Sequence, residues 1–332
     1  MTAAHYDVIA IGNAIVDIIG RCDDAFLKKH GASKGHMTIV GPDVVQRLYD
    51  DMGPAIEISG GSAANTVVGL ASFGSRAAFI GKVADDEFGR IFRHDITASG
   101  VTYKTDPVSG KDPTSRSLIL VTPDGERTMH TYLGISTDLD QGEVAPDMIA
   151  ASAIVYLEGY LFDRPEAKAA FRQAVAIANA AGRKVALTLS DGFCVDRHRA
   201  EFLDLIRNGV DILFANESEI TSLYETPSFD DAARQAAEDC TLAVLTRSAK
   251  GSLILGSGAA VTVTASPIET VVDTTGAGDL YAAGFLHGLA QGTDLETAGH
   301  LGSLAAAEII SHIGARPEAN LRDLAEKNGL IS

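Results

Sequence analysis

The chain's densest group of reactive residue types is Asp273-Thr-Thr-Gly-Ala-Gly-Asp279, preceded by strand-like Glu269 to Val272 and followed by a helical pattern from about Leu280. Gly276 and Gly278 allow close backbone approach to a ligand, and the loop through Ala277 aims N–H groups at one point. The dipole of the following helix adds positive potential there, which favours an anion. Asp279 stands at the same helix start with a carboxylate able to accept a proton. An anion cradle and a base at one spot suit phosphoryl transfer, which depends mostly on positioning and charge stabilisation. Taken alone, the segment fits equally well an Asp that caps its helix.

Such a site needs elements to hold it, and the sequence supplies them in alternation. Asp7 to Ile11, Arg76 to Gly81, Ala153 to Leu157, Lys184 to Leu189 and Asp211 to Phe214 read as buried strands. Ser62 to Phe73, Asp86 to Ser99, Pro165 to Ala181 and Arg197 to Asn208 read as helices. This rhythm predicts an α/β fold with a mostly parallel sheet and helices on both faces, with ligands at the carboxyl ends of the strands. Ser115 to Leu133 breaks the rhythm as a hairpin, with Thr122-Pro-Asp-Gly-Glu126 as its turn. Ile15 to Ile19 and Met37 to Val40 could pair with it. The pieces, about 13–41 and 101–134, are expected to form a small β-lid on a single catalytic unit spanning 1–332; an edge hairpin with no covering role is the alternative.

Composition removes several classes. A formal charge of −17 argues against nucleic-acid binding, which needs many Lys and Arg to neutralise phosphates. No apolar run reaches membrane-span length, and the N-terminus lacks a secretory pattern, so a cytoplasmic setting with no membrane partner is expected. Cys22, Cys194 and Cys240 are dispersed, which makes structural zinc and a disulfide framework poor readings. Asp85, Asp86 and Glu87 open a helix, where acids favour the dipole, and read as structural. His287, among apolar residues, reads as packed.

Four segments in order resemble the ribokinase/PfkB family of small-molecule kinases. Gly12-Asn13-Ala-Ile-Val-Asp17 matches its opening substrate motif and Gly60-Gly61-Ser-Ala-Ala-Asn65 its Gly-Gly motif. Asn216-Glu-Ser-Glu219 matches its Asn-x-x-Glu motif and Asp273–Asp279 its C-terminal signature. The resemblance implies a ribokinase-like three-layer fold and transfer of the γ-phosphoryl of ATP, with Asp279 as base and Gly276, Ala277 and Gly278 as anion hole. A G-x-x-x-x-G-K-[ST] segment is absent, which disfavours P-loop chemistry. Glu219 would orient Mg²⁺ through water and Asn216 would support it, while an N-cap with its capping-box acid could coexist with that role. Thr246 and Gly251 resemble a Thr-x-x-x-x-Gly segment that contacts ATP. Asp273 and the carbonyl of Thr275, with the loop around Gly314, resemble a monovalent-cation (K⁺) site found in some members. Asn13, Asp17 and Asn65 would hold the acceptor sugar, Asp17 accepting from vicinal hydroxyls. Gly60-Gly61 would be the hinge for lid closure. Arg127 matches a lid arginine that reaches the phosphates, a solvated hairpin charge being the alternative.

The N-terminal span, with Asp24-Ala-Phe-Leu-Lys-Lys-His-Gly and Lys34-Gly-His-Met37, and Ala298-Gly-His300 near the other end are similar to adenosine-kinase-like members. That similarity implies phosphorylation of the 5′-hydroxyl of adenosine, a place in purine salvage, and a purine held near Met37 and Ile39. A sugar kinase of ribose or fructose type is the alternative within the family, and a non-catalytic binding protein that keeps the fold is the alternative outside it. The small-molecule acceptor is the partner expected; the sequence does not define an oligomeric state.

Overall fold

The computed structural model describes residues 4–256 and 258–331. Tyr6–Ile11 is buried at every position because it runs through a sheet covered on both faces. Side chains alternate across a strand, so Val8 and Ala10 join an apolar cluster with the helices Ser62–Ser72, Ala277–Gln291 and Leu295–Ile309. Ile9 and Ile11 join a second cluster with Pro165–Ala180 and Gly192–Gly209 on the opposite face. The molecule is therefore a three-layer α/β fold.

The main sheet has nine strands in the order Ala259–Val263, Ser252–Gly256, Leu242–Thr246, Ile212–Asn216, Lys184–Thr188, Ser152–Glu158, Tyr6–Ile11, Ala77–Ile80, Thr102–Tyr103. Pairing is parallel from Leu242–Thr246 to Thr102–Tyr103, and the first two strands form an antiparallel edge. A second sheet of five strands runs Met37–Ile39, Arg127–Tyr132, Ser115–Val121, Ile15–Arg21, Ala55–Gly60. The expected hairpin is present, closed by Thr122 N–H to the Glu126 carbonyl at 3.0 Å. It pairs with the two segments proposed for it, and Ala55–Gly60 adds a strand outside the expected 13–41 and 101–134. Helix Pro42–Asp51 covers one face of this sheet with Val45 and Leu48. Alternation sends Asp17, Ser117, Ile119, Met129 and Thr131 to the other face.

Several boundaries differ from the sequence reading, among them the helix read from Arg197, which begins at Gly192 and kinks at His198. Glu269 to Val272 is not a strand: the Val272 N–H bonds the Ile310 carbonyl at 2.8 Å, and Val271 and Val272 are exposed. The segment is anchored by this bond to the end of helix Leu295–Ile309 and joins neither sheet. The motif helix starts at Ala277 rather than near Leu280, because Gly276 at φ 78° provides the left-handed step into it. Asp86 caps its helix through the Gly89 N–H at 2.7 Å, and His287 stacks on Phe73 and bonds Ser75, as structural readings require. Among the described residues no helix is long and apolar enough to cross a membrane.

Candidate active site

The carboxyl ends of the main-sheet strands and the inner face of the smaller sheet enclose a cavity of about 1020 Å³. Asp279 enters it from the first turn of the motif helix, and its carboxylate does not cap that helix. Oδ1 accepts from Ser62 Oγ at 2.6 Å and Oδ2 from Asn65 Nδ2 at 2.9 Å. Ser62 and Asn65 lie three apart and so share one face of the neighbouring helix. Burial pushes the Asp279 carboxyl up, while these bonds and the charge of Arg316 pull it back. Beside it the Gly276 and Gly278 N–H groups donate to no protein acceptor among the described residues, whereas Ala277 N–H turns back to the Thr274 carbonyl at 3.3 Å. A base thus adjoins open backbone donors at a helix N-terminus, an arrangement able to hold a phosphoryl group while deprotonating a hydroxyl.

Asp17 faces the cavity from the smaller sheet. It accepts no hydrogen bond from the described residues, and burial pushes it up to about 6 against the charges of Arg316 and Arg127. Gly60 makes room for it: a Cβ there would sit 2.3 Å from Oδ2. Asn65 Oδ1 is buried without a partner. A free carboxylate and an orphaned amide oxygen are both acceptors, which matches a polyhydroxylated ligand supplying O–H donors. Asn13 lies against the same space with its amide already committed: Nδ2 donates to Glu158 Oε1 at 2.7 Å and Oδ1 accepts from Ser136 Oγ at 2.9 Å.

Across the cavity, Asn216 and Glu219 form a capping box at the end of Ile212–Asn216, with Glu219 N–H to Asn216 Oδ1 at 2.9 Å and Asn216 N–H to Glu219 Oε2 at 3.0 Å. Glu219 is pushed up to about 7 by burial, and Asp191 and Asp279 add to the push. No three His, Cys, Asp or Glu among the described residues are grouped to hold an ion directly. Buried negative charge without a ready-made cage fits Mg²⁺ held through water and phosphate oxygens. Thr246 and Thr275 also line the cavity.

Four expected residues stand outside the lining. Gly251 serves a turn at φ 83°, where a Cβ would strike the Val263 carbonyl at 2.0 Å. Gly60 sits behind Asp17. Arg127 is buried rather than solvated, and its guanidinium forms an ion pair with Asp273. Asp273 also accepts from Thr275 N–H and Gly314 N–H, each at 3.0 Å. Asp273 is thereby tied to Arg127, Thr275 and the Gly314 loop.

Two site residues escaped the sequence reading. Glu158 ends the strand Ser152–Glu158 and takes the Asn13 and Ala63 N–H groups at 3.3 and 2.9 Å; burial pushes it up to about 7. Arg316 donates to Ser59 and Ala64. Neither belongs to a local pattern, since each acts through partners far away in sequence.

The model of the pfkB family carbohydrate kinases matches residues 57–321. A fructokinase from Klebsiella pneumoniae is 30% identical over 262 residues, 77% of this chain and 85% of that protein. The crystal structure of adenosine kinase from Sinorhizobium meliloti is 54% identical, covers 98% of this chain and 100% of its own, and superposes with a TM-score of 0.91. That of a probable sugar kinase from Rhizobium etli CFN 42 is 50% identical, covers 99% and 100%, and gives 0.92. The site geometry and these similarities agree, and the chain belongs to the pfkB family of carbohydrate kinases, phosphotransferases acting on a hydroxyl group.

Proposed function

We propose that the protein transfers the γ-phosphoryl of ATP to the 5′-hydroxyl of adenosine, giving AMP. The observation that carries the choice of acceptor is the wall above Asp17. Met37, Ile39, Ile119 and Met129 line the cavity there, with Met37 and Ile39 exposed to it, and Tyr160 lies on the facing side. A free sugar offers only a small C–H face to such a wall, whereas a purine attached to ribose offers a broad aromatic one. Asp17 and Asn65 would take the ribose hydroxyls, and Asp279 would remove the 5′-proton as the oxygen attacks. Gly276 and Gly278 N–H groups would hold the transferred phosphoryl. Asn216, Glu219 and Thr246 would face the ATP side, where bound Mg²⁺ would neutralise phosphate charge. The similarity to the Sinorhizobium meliloti adenosine kinase supports the same reading, and purine salvage in the cytoplasm is the setting it suggests. The sugar kinase alternative draws on the Klebsiella pneumoniae fructokinase and the Rhizobium etli protein.

Phosphorus NMR of a reaction with ATP, Mg²⁺ and adenosine tests the assignment. The expected product carries phosphate on the 5′-oxygen alone; consumption of ATP with no AMP formed would overturn it.

A further inference from the structure

We propose that Arg316 braces the Gly60–Gly61 hinge and so sets how readily the smaller sheet moves against the main one. Its guanidinium reaches both sides of the glycine pair. Nε donates to the Ser59 carbonyl at 2.7 Å and Nη2 to Ser59 Oγ at 2.8 Å, before the hinge. Nη1 donates to the Ala64 carbonyl at 2.7 Å, after it. Ser59 is held from a second direction by Asp95, which accepts from its N–H at 2.9 Å and from its hydroxyl. Any rotation at Gly60–Gly61 changes the Ser59-to-Ala64 separation and must break part of this fork.

The residues next to Arg316 extend the connection to the phosphoryl site. Gly314 N–H bonds Asp273 at 3.0 Å. Ala315 packs so closely on Gly276 that a Cβ there would lie 3.0 Å from the Ala315 Cβ. One tripeptide thus touches the hinge, the anion-hole glycine and the carboxylate paired with Arg127. Arg316 is a positioning residue: it does not line the cavity, and it fixes the distance between Asp17 on the smaller sheet and Asp279 on the motif helix packed against the larger one.

The inference rests on the reading of the smaller sheet as a lid over the acceptor, and exchange in the ligand-free enzyme tests it apart from any substrate. The variants are Arg316→Lys, Arg316→Met and Ser59→Ala. A lysine keeps the charge at one point and cannot span the hinge. Both Arg316 variants should show amide exchange in residues 115–132 faster than wild type, with exchange in Tyr6–Ile11 and Ser152–Glu158 unchanged. Acceptor KM should rise about tenfold with ATP KM within about twofold. Ser59→Ala, which deletes only the hydroxyl contacts, should move in the same direction by less and keeps the test available if an Arg316 variant fails to accumulate. Wild-type exchange in 115–132 for Arg316→Lys and Ser59→Ala, or acceleration spread evenly over both sheets, would overturn the brace.

Discussion

Asp279 is held at both carboxylate oxygens by Ser62 and Asn65, so its orientation is set before substrate binds. Asp279→Asn keeps the shape and one acceptor but removes the basicity. Turnover should fall by about 10²–10⁴, with the dissociation constants of ATP and acceptor nearly unchanged. Retention of more than about a tenth of wild-type turnover would contradict the role of base. A pH profile gives a second check. In the proposed reaction Asp17 and Asp279 would act as anions, and burial raises both, Asp17 to about 6. Protonation therefore begins at higher pH than for an ordinary carboxylate and removes the competent form as pH falls. The acceptor kcat/KM, which reports the free enzyme, should decline on going below about pH 6. A plateau extending to about pH 4.5 would mean that neither raised carboxylate limits the reaction.

At the scale of elements, two chain crossings between the sheets lie side by side, and Gly61 is where they touch. It has φ 100°, and a Cβ there would meet the Asn13 carbonyl at 2.2 Å. Gly61→Ala should lower turnover and weaken acceptor binding together, by about ten- to a hundredfold in kcat/KM, the scale of local backbone strain. An unaltered kcat/KM would show that the crossing tolerates the change. Saturating acceptor should slow amide exchange in 115–133 more than ATP alone, since Asp17 and the apolar wall belong to that sheet. Equal exchange with and without acceptor would rule out a substrate-driven lid. These elements differ in how visible they are in sequence. Apolar β-branched runs bounded by turn residues placed the buried parallel strands, and Asp-Gly in Thr122–Glu126 placed the hairpin. Ala55–Gly60 joins the smaller sheet with exposed residues at its start, so no buried run marks it. Glu269 to Val272 has strand composition, but Val272 N–H is taken by the Ile310 carbonyl, a tertiary fact absent from local pattern. Arg316 and Glu158 were hidden for the same reason: their partners lie across the fold, while the Asp279 and Asp17 motifs are local.

For the whole molecule, the proposed reaction divides between two parts, the motif helix on the larger sheet carrying Asp279 and the open backbone donors, the smaller sheet carrying Asp17 and the apolar wall. The proposed acceptor, a ribose carrying a purine, matches that division. Removing the 2′-hydroxyl of adenosine should cost about ten- to a hundredfold in kcat/KM, because a buried acceptor group is left unpaired. ADP release with ATP and Mg²⁺ across adenosine, ribose and fructose, compared as kcat/KM, decides the proposed acceptor. Adenosine should give the highest value; a higher value for ribose or fructose, or no ADP release with any of the three, would show that adenosine is not the acceptor.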